Sequence, residues 1–301
     1  MNNHMPQDHK LSVNIVHDLL MFSVFEILGS SKSPLIRWCQ YWLLFLPVRY
    51  FSKFFIELDE QVENNGAPAA GRWLANRFVD DIRIQGFDNI PKEGPIMVVS
   101  NHPGAYDSFC ILASMGREDL NAIISDIRVF MELPHVASHL IYTNEKVEVR
   151  MLAIREAIKR LQDGQSFLIF PTGLIDPDPS FMEGVYDELM NWSNSVELFL
   201  RRAPETQLVV TTVSHVLQPK WMKNPLLRTQ KTEMTKRRMA EFIQVLNQFF
   251  IPWSIKSTPC ITFGKAISYT ELKKMDGSIR ENIIRLAAIQ MESHMEKYNK
   301  S

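Results

Sequence analysis

The sequence predicts an α/β fold: a mixed, largely parallel central sheet flanked by helices, with an N-terminal helical region. Three observations carry this expectation. Residues 96–99 (Ile-Met-Val-Val) and 167–170 (Phe-Leu-Ile-Phe) are uncharged apolar runs that stop at or just before proline turns, the pattern of strands buried on both faces. Between them, Met151, Leu152, Ile154, Ala157, Ile158 and Leu161 recur with helical spacing. Strand, helix and strand thus follow in parallel order, and the two turns fall at one edge of the sheet. Ahead of both runs, residues 11–65 are rich in apolar and aromatic side chains at helical spacing.

In chain order, residues 1–10 are polar, lack a basic-then-apolar signal pattern, and place His4 and His9 in solvent. Val13, Val16, Leu19, Leu20, Phe22 and Phe25 form a first helical stripe, interrupted between Gly29 and Pro34. Residues 35–58 hold Trp38, Tyr41, Trp42, Phe45, Tyr50, Phe51, Phe54 and Phe55. Their longest uncharged run, between Arg37 and Arg49, is too short to span a bilayer, which takes about 18 apolar residues, and Pro47 predicts a kink. Two readings of this segment stand side by side. One is a helical subdomain packed on the core. The other is an interfacial anchor with Trp and Tyr at headgroup level and Arg37, Arg49 and Lys53 at anionic lipid. Residues 64–71 (Asn-Asn-Gly-Ala-Pro-Ala-Ala-Gly) read as a linker. The chain therefore divides into an N-terminal helical region, 1–71, and an α/β domain, 72–301.

Further along, Ile82 and Ile84 alternate with polar neighbours as in a half-buried strand. Residues 120–125 form a strand, with irregular or helical chain up to residue 139. Asp163-Gly164 ends the middle helix. Residues 176–184 read as a proline-rich surface loop in which Asp176 and Asp178 mark turns. Residues 186–202 form a helix, 207–214 a β-branched strand ending at His215, 239–250 a helix, 259–264 the last strand and 279–298 a closing helix.

The 301 residues carry a net charge of −1, so no global field points to nucleic acid. Cys39, Cys110 and Cys260 are scattered and read as buried apolar residues; they make neither a disulfide framework nor a metal spacing, which favours a reducing compartment. His135 and His139 stand four apart, but no third ligand is evident, so no metal is expected.

The chemistry lies at the first turn. Asn101-His102-Pro103-Gly104 follows a buried strand, and Asp107 opens the next helix. A histidine there sits where open α/β sheets place their ligands, and it titrates near neutrality. An aspartate five residues on can fold back and fix its tautomer, as in a triad without a protein nucleophile. The attacking group is then a hydroxyl of the substrate.

With Phe170-Pro171-Thr172-Gly173 some seventy residues later, Asn101-His102-x4-Asp107 resembles the glycerolipid acyltransferase superfamily. The flanks resemble it too: residues 81–91 (Asp-Ile-Arg-Ile-Gln-Gly-Phe-Asp-Asn-Ile-Pro) and Phe263-Gly264-Lys265-Ala266-Ile267, so that the likeness covers roughly residues 80–270. The resemblance implies an O-acyltransferase. It would move a fatty acyl group from an acyl-CoA or acyl-carrier-protein thioester to a hydroxyl of a glycerolipid-type acceptor, glycerol 3-phosphate or a lysophospholipid. His102 would be the general base and Asp107 its orienting partner. Gly104, Thr172, Gly173, Lys146 and Arg150 would bind substrate, and no cofactor would be needed. A lipid product also implies peripheral membrane contact, at the inner face of the membrane in the cytoplasm.

The sequence departs from the family pattern at three positions. Thr172 replaces the glutamate of Phe-Pro-Glu-Gly, and Ile175 stands where a phosphate-gripping arginine is expected. In the middle motif, residues 140–144, Asn144 stands where a second arginine is expected. Lys146 or Arg150 would compensate, or be solvated surface charges. The basic segment 220–238 offers coenzyme A phosphates, an acidic carrier protein or anionic lipid a further site, or is a solvated helix face. The alternative function is a non-catalytic or thioesterase-like acyl- or lipid-binding relative. A serine hydrolase would require Gly-x-Ser-x-Gly, which is not in this chain.

Overall fold

The computed structural model describes residues 15–21, 33–125, 127–251 and 253–298. Its centre is one eight-stranded sheet. The strands are β1 (Arg83–Gln85), β2 (Ile96–Ser100), β3 (Leu120–Ser125), β4 (Leu140–Thr143), β5 (Ser166–Ile169), β6 (Gln207–Ser214), β7 (Cys260–Phe263) and β8 (Ile267–Ser268). Their order is β1-β7-β6-β2-β5-β3-β4, with β8 also on β6. From β6 to β4 the neighbours are parallel. β7 and β8 run antiparallel to β6, and β1 runs parallel to β7. The fold is therefore mixed α/β with a largely parallel sheet, as the apolar runs predict. A parallel order puts the carboxyl ends of β2 and β5 side by side.

The long helices are α1 (Pro34–Asn65), α2 (Ala67–Phe78), α3 (Asp107–Met115), α4 (Val147–Gln162), α5 (Ser195–Arg202), α6 (Glu233–Phe250) and α7 (Ile279–Tyr298). Side chains alternate across a strand, and β2 divides its residues accordingly. Ile96 and Val98 join a core with Leu74 and Phe78 of α2, Tyr106 just before α3, Ile111 of α3 and Phe249 of α6. Met97 and Val99 join a core with Ala157, Leu161, Phe199, Leu200 and Met291 from α4, α5 and α7. Every residue of β2 and β5 is buried, which is why those strands read as unbroken apolar runs.

Pro47 lies inside α1. Several expectations are corrected. The expected linker at 64–71 is a tight helix junction instead. Gly66 (φ 81°) separates α1 from α2, and a Cβ on it would collide with the Glu118 carboxylate, whose Oε2 accepts from Ala67 N at 3.1 Å. Residue 71 lies within α2, where Ala70, Gly71, Leu74 and Ala75 are buried. Residues 186–202 are two helices, Val185–Leu189 and α5, because the polar Asn191, Ser193 and Asn194 favour a turn that bonds Ser193 N to Pro171 O. Ile84 is exposed on the edge strand β1, and Cys39 is exposed on α1. The first helical stripe falls partly outside the described residues; 15–21 are helical. His4 and His9 lie outside them.

α1 has two unlike halves. Its C-terminal half packs on the core: Phe51 stacks on Phe249 at 3.8 Å, Phe54 on Trp73 at 4.8 Å, and Phe55 meets Phe130 at 5.4 Å. Asp59 fastens it further by accepting from His135 N, Val136 N and His135 Nδ1, each at 2.9 Å. His139 turns elsewhere, its Nδ1 to Leu120 O at 3.2 Å, so the histidine pair does not share a site. The N-terminal half of α1 leaves Leu35, Trp38, Trp42, Leu43 and Leu46 more than half exposed. Among the described residues no helix is long and apolar enough to cross a membrane.

Candidate active site

The chain leaves β2 through Asn101, whose amide extends the sheet: Nδ2 donates to Val213 O and Oδ1 accepts from Val213 N, both at 2.8 Å. His102 follows, and Asp176 fixes its main chain on both sides. His102 N donates to Asp176 Oδ2 at 2.9 Å, and Asp176 N donates to His102 O at 2.8 Å. The imidazole Nδ1 stands 2.8 Å from Asp107 Oδ2, which also accepts from Gly104 N at 3.1 Å. Asp107 is fully buried at the first residue of α3. Nδ1–H donates to this carboxylate, which leaves Nε2 as the ring's acceptor. Nε2 makes no hydrogen bond among the described residues. Phe170 lies face to face on the ring at 4.2 Å, and the His102 side chain is 24 % exposed.

Burial opposes a charged imidazole here, but the Asp107 carboxylate outweighs it, with Glu241 and Asp176 adding to the effect; His102 is pushed up to about 9. Burial pushes Asp176 up to about 6, against the hydrogen bond from His102 N. Gly104 is required by close approach: a Cβ there would stand 2.5 Å from Val216 Cγ1.

The second motif reaches the same place. Phe170, at the end of β5, is the ring on His102. Gly173 (φ 65°) closes a turn by donating its N–H to Phe170 O at 3.0 Å. Thr172 Oγ1 accepts from Leu174 N at 3.3 Å and donates to Leu174 O at 3.1 Å. The following residues are not the surface loop the composition suggests, since Asp176 and Asp178 are 4 % and 0 % exposed. The carboxylate of Asp178 accepts from His215, Val216 and Leu217 N at 2.9–3.1 Å, and from Ser180 N and Oγ at 3.0 and 2.7 Å. His215 adopts φ 59° in this turn, and its Nδ1 bonds Ser214 Oγ at 2.8 Å.

The structure thus brings together His102, Asp107, Gly104, Thr172 and Gly173. Asn144, Lys146 and Arg150 follow β4 at the same sheet edge. They lie three strands from β2, about 14 Å by strand spacing. Asn144 Oδ1 accepts from Lys146 N at 2.9 Å, and Arg150 is exposed.

Sequence reasoning missed two groups at the site: Asp176, taken for a turn residue, and Glu241, 139 positions from His102. Glu241 is 7 % exposed on α6, and burial pushes it up to about 8 despite the charge of His102. In the basic segment, Lys236 pairs with Glu233 at 2.6 Å. Arg237 Nη2 reaches Glu188 at 3.5 Å, while its Nε and Nη1 are buried without a partner among the described residues. No group of three or more His, Cys, Asp or Glu among the described residues is arranged to hold a metal.

A histidine just past a buried strand, with a fixed tautomer and an open Nε2, can exchange a proton with a group bound there. Residues 81–216 match the family model described as Acyltransferase. It contains both motifs and ends at Val216, in the turn that Asp178 holds. No curated protein matches the chain. Among solved structures, the chain is similar to the crystal structure of the 1-acyl-sn-glycerophosphate (LPA) acyltransferase PlsC from Thermotoga maritima. The identity is 15 %, the alignment covers 95 % of this chain and 97 % of that one, and the TM-score is 0.47. The family match agrees with the motif reading.

Proposed function

We propose that this protein is an O-acyltransferase that moves a fatty acyl group from an acyl thioester to a hydroxyl of a glycerolipid-type acceptor, with His102 as general base. The observation that carries this is the 2.8 Å bond from His102 Nδ1 to buried Asp107, which points the ring's lone pair outward at Nε2. Nε2 takes the acceptor's hydroxyl proton while the oxygen attacks the thioester carbonyl. The C–S bond of the tetrahedral intermediate then breaks, and the imidazolium returns its proton to the thiolate. Asp107 orients the ring and stabilises the imidazolium. The thioester supplies the activation, so the step needs no cofactor.

The oxyanion needs donors, and the candidates are the Thr172 hydroxyl and the N–H groups of its turn. Gly173 and Leu174 N–H already bond Phe170 O and Thr172 Oγ1, so an oxyanion is received there by exchange of those bonds. Phosphate of the acceptor or of coenzyme A is met by the basic segment, whose Arg238 faces Glu241 beside His102. The uncharged Ile175 and Asn144 do not serve. Lys146 and Arg150 remain available at the far side of the sheet edge.

The test is release of free thiol from palmitoyl-coenzyme A and palmitoyl-acyl carrier protein with glycerol 3-phosphate, lysophosphatidate and unphosphorylated long-chain alcohols. Acceptor-dependent release with a phosphorylated acceptor is expected. Release that ignores every acceptor would favour the thioesterase-like alternative, and none at all the acyl-binding one.

The exposed half of α1 is read as the part that touches lipid, at the inner face of the membrane, with Arg37 and Arg49 beside its aromatic residues. The triple variant Trp38→Ala, Trp42→Ala, Leu43→Ala is expected to partition about tenfold less onto mixed zwitterionic and anionic phospholipid vesicles. Equal partitioning in a sedimentation assay would rule out this surface.

A further inference from the structure

On α6, the residues Glu241, Gln244 and Gln248 are polar yet nearly inaccessible, at 7 %, 1 % and 2 % exposed. Their spacing of three and four puts them on one helix face, the face turned to the core. Gln244 explains itself: Nε2 donates to Tyr106 Oη at 2.6 Å and Val216 O at 2.7 Å, and Oε1 accepts from Gln218 N at 2.8 Å. It ties α6 to the residue before Asp107 and to the turn after β6.

Glu241 stands one turn earlier and makes no hydrogen bond among the described residues. Its Oε1 lies 4.0 Å from where a Cβ on Gly104 would be, inside the turn between His102 and Asp107. The charged groups facing it are His102, Asp107 and Arg238; Asp176 faces His102 from the opposite loop. A carboxylate without a hydrogen bond in such a place is costly. Its cost falls when it bears a proton or when His102 is an imidazolium, and three acidic groups around one imidazole cannot all be charged without mutual repulsion.

We propose that Glu241 is a positioning residue of this site, coupled through space to His102 so that the charge on each sets how readily the other holds a proton. Its part in catalysis rests on His102 being the base of the acyl transfer. The coupling itself does not, and it is tested apart from activity. When His102 takes the hydroxyl proton, ionised Glu241 stabilises the imidazolium until that proton passes to the thiolate. Glu241 lies beyond residue 216, where the family match ends, so this chain supports its base from a helix outside the matched segment.

The experiment is a pH titration by NMR of the intact protein, with 13C-labelled imidazole and carboxyl carbons. In the wild type, His102 Cε1 and Glu241 Cδ are expected to show the same two apparent midpoints. In Glu241→Gln, the His102 midpoint should fall by about one unit, and the acid limb of the kcat/KM profile should move down with it. Glu241→Asp should restore most of the shift. An unchanged His102 midpoint in Glu241→Gln would overturn the proposal. So would a Glu241 carboxyl in the wild type that ionises alone in the ordinary glutamate range, a result that needs no variant to fold. An unchanged His102 midpoint in Glu241→Gln, with acyl transfer intact in the wild type, refutes only this inference. The shift in a protein without acyl transfer refutes only the function above.

Discussion

Replacing His102 with alanine is expected to lower kcat for acyl transfer about a thousandfold, within the usual range for loss of a general base, while circular dichroism and Tm stay near wild type. The side chain is partly exposed and the Asp176 bonds to residue 102 are made by its backbone, so the turn survives the change. The pH profile carries a second signature. The neutral ring is the reactive form, and Asp107 holds its proton affinity up to about 9. kcat/KM should therefore rise about tenfold per pH unit through neutrality and level off above that value. A profile flat between about pH 6 and 9, or a variant within tenfold of wild type, would remove His102 from the chemistry.

Asp178→Ala is expected to have the largest effect on stability. The side chain is completely buried and receives five hydrogen bonds, three of them from the consecutive N–H groups of residues 215–217. Alanine leaves those backbone donors unpaired in the interior, where each costs about 1–3 kcal/mol. A loss of at least about 3 kcal/mol follows, equivalent to a fall in Tm of about 6–12 °C for a chain of this size. Asp178→Asn, which keeps acceptor oxygen but not charge, should lose less. A Tm within about 2 °C of wild type for Asp178→Ala would show that the turn is held by other contacts.

The parts of this molecule legible in the sequence are those set by local pattern. β2, β5 and β6 are buried on both faces and read as apolar runs, and α4 and α7 read from their spacing. His102 and Asp107 are five residues apart, so one turn decides their meeting. The rest depends on which strands become neighbours. Asp176 and Asp178 have the composition of an exposed turn. They are buried because the chain leaving β5 runs past the end of β2 to the end of β6. Glu241 has no local sign at all. Its role depends on α6 lying over Gly104, a contact between segments 137 positions apart. In α1 both readings of the aromatic segment apply: Phe51, Phe54 and Phe55 pack on the core, while Trp38, Tyr41, Trp42 and Tyr50 are exposed, and spacing alone does not divide them.

The segment 170–178 joins three strand ends: it grows out of β5, grips His102 after β2 through Asp176, and grips the turn after β6 through Asp178. For an engineer this sets a boundary. Surface loops ordinarily tolerate insertions, tags and exchange with homologous loops, and the prolines and aspartates here give this one the look of such a site. Lengthening it by even one residue moves Asp176 or Asp178 off its partners, so insertions in this chain are better placed elsewhere. A loop transplanted from a relative would have to bring both aspartates at their present spacing.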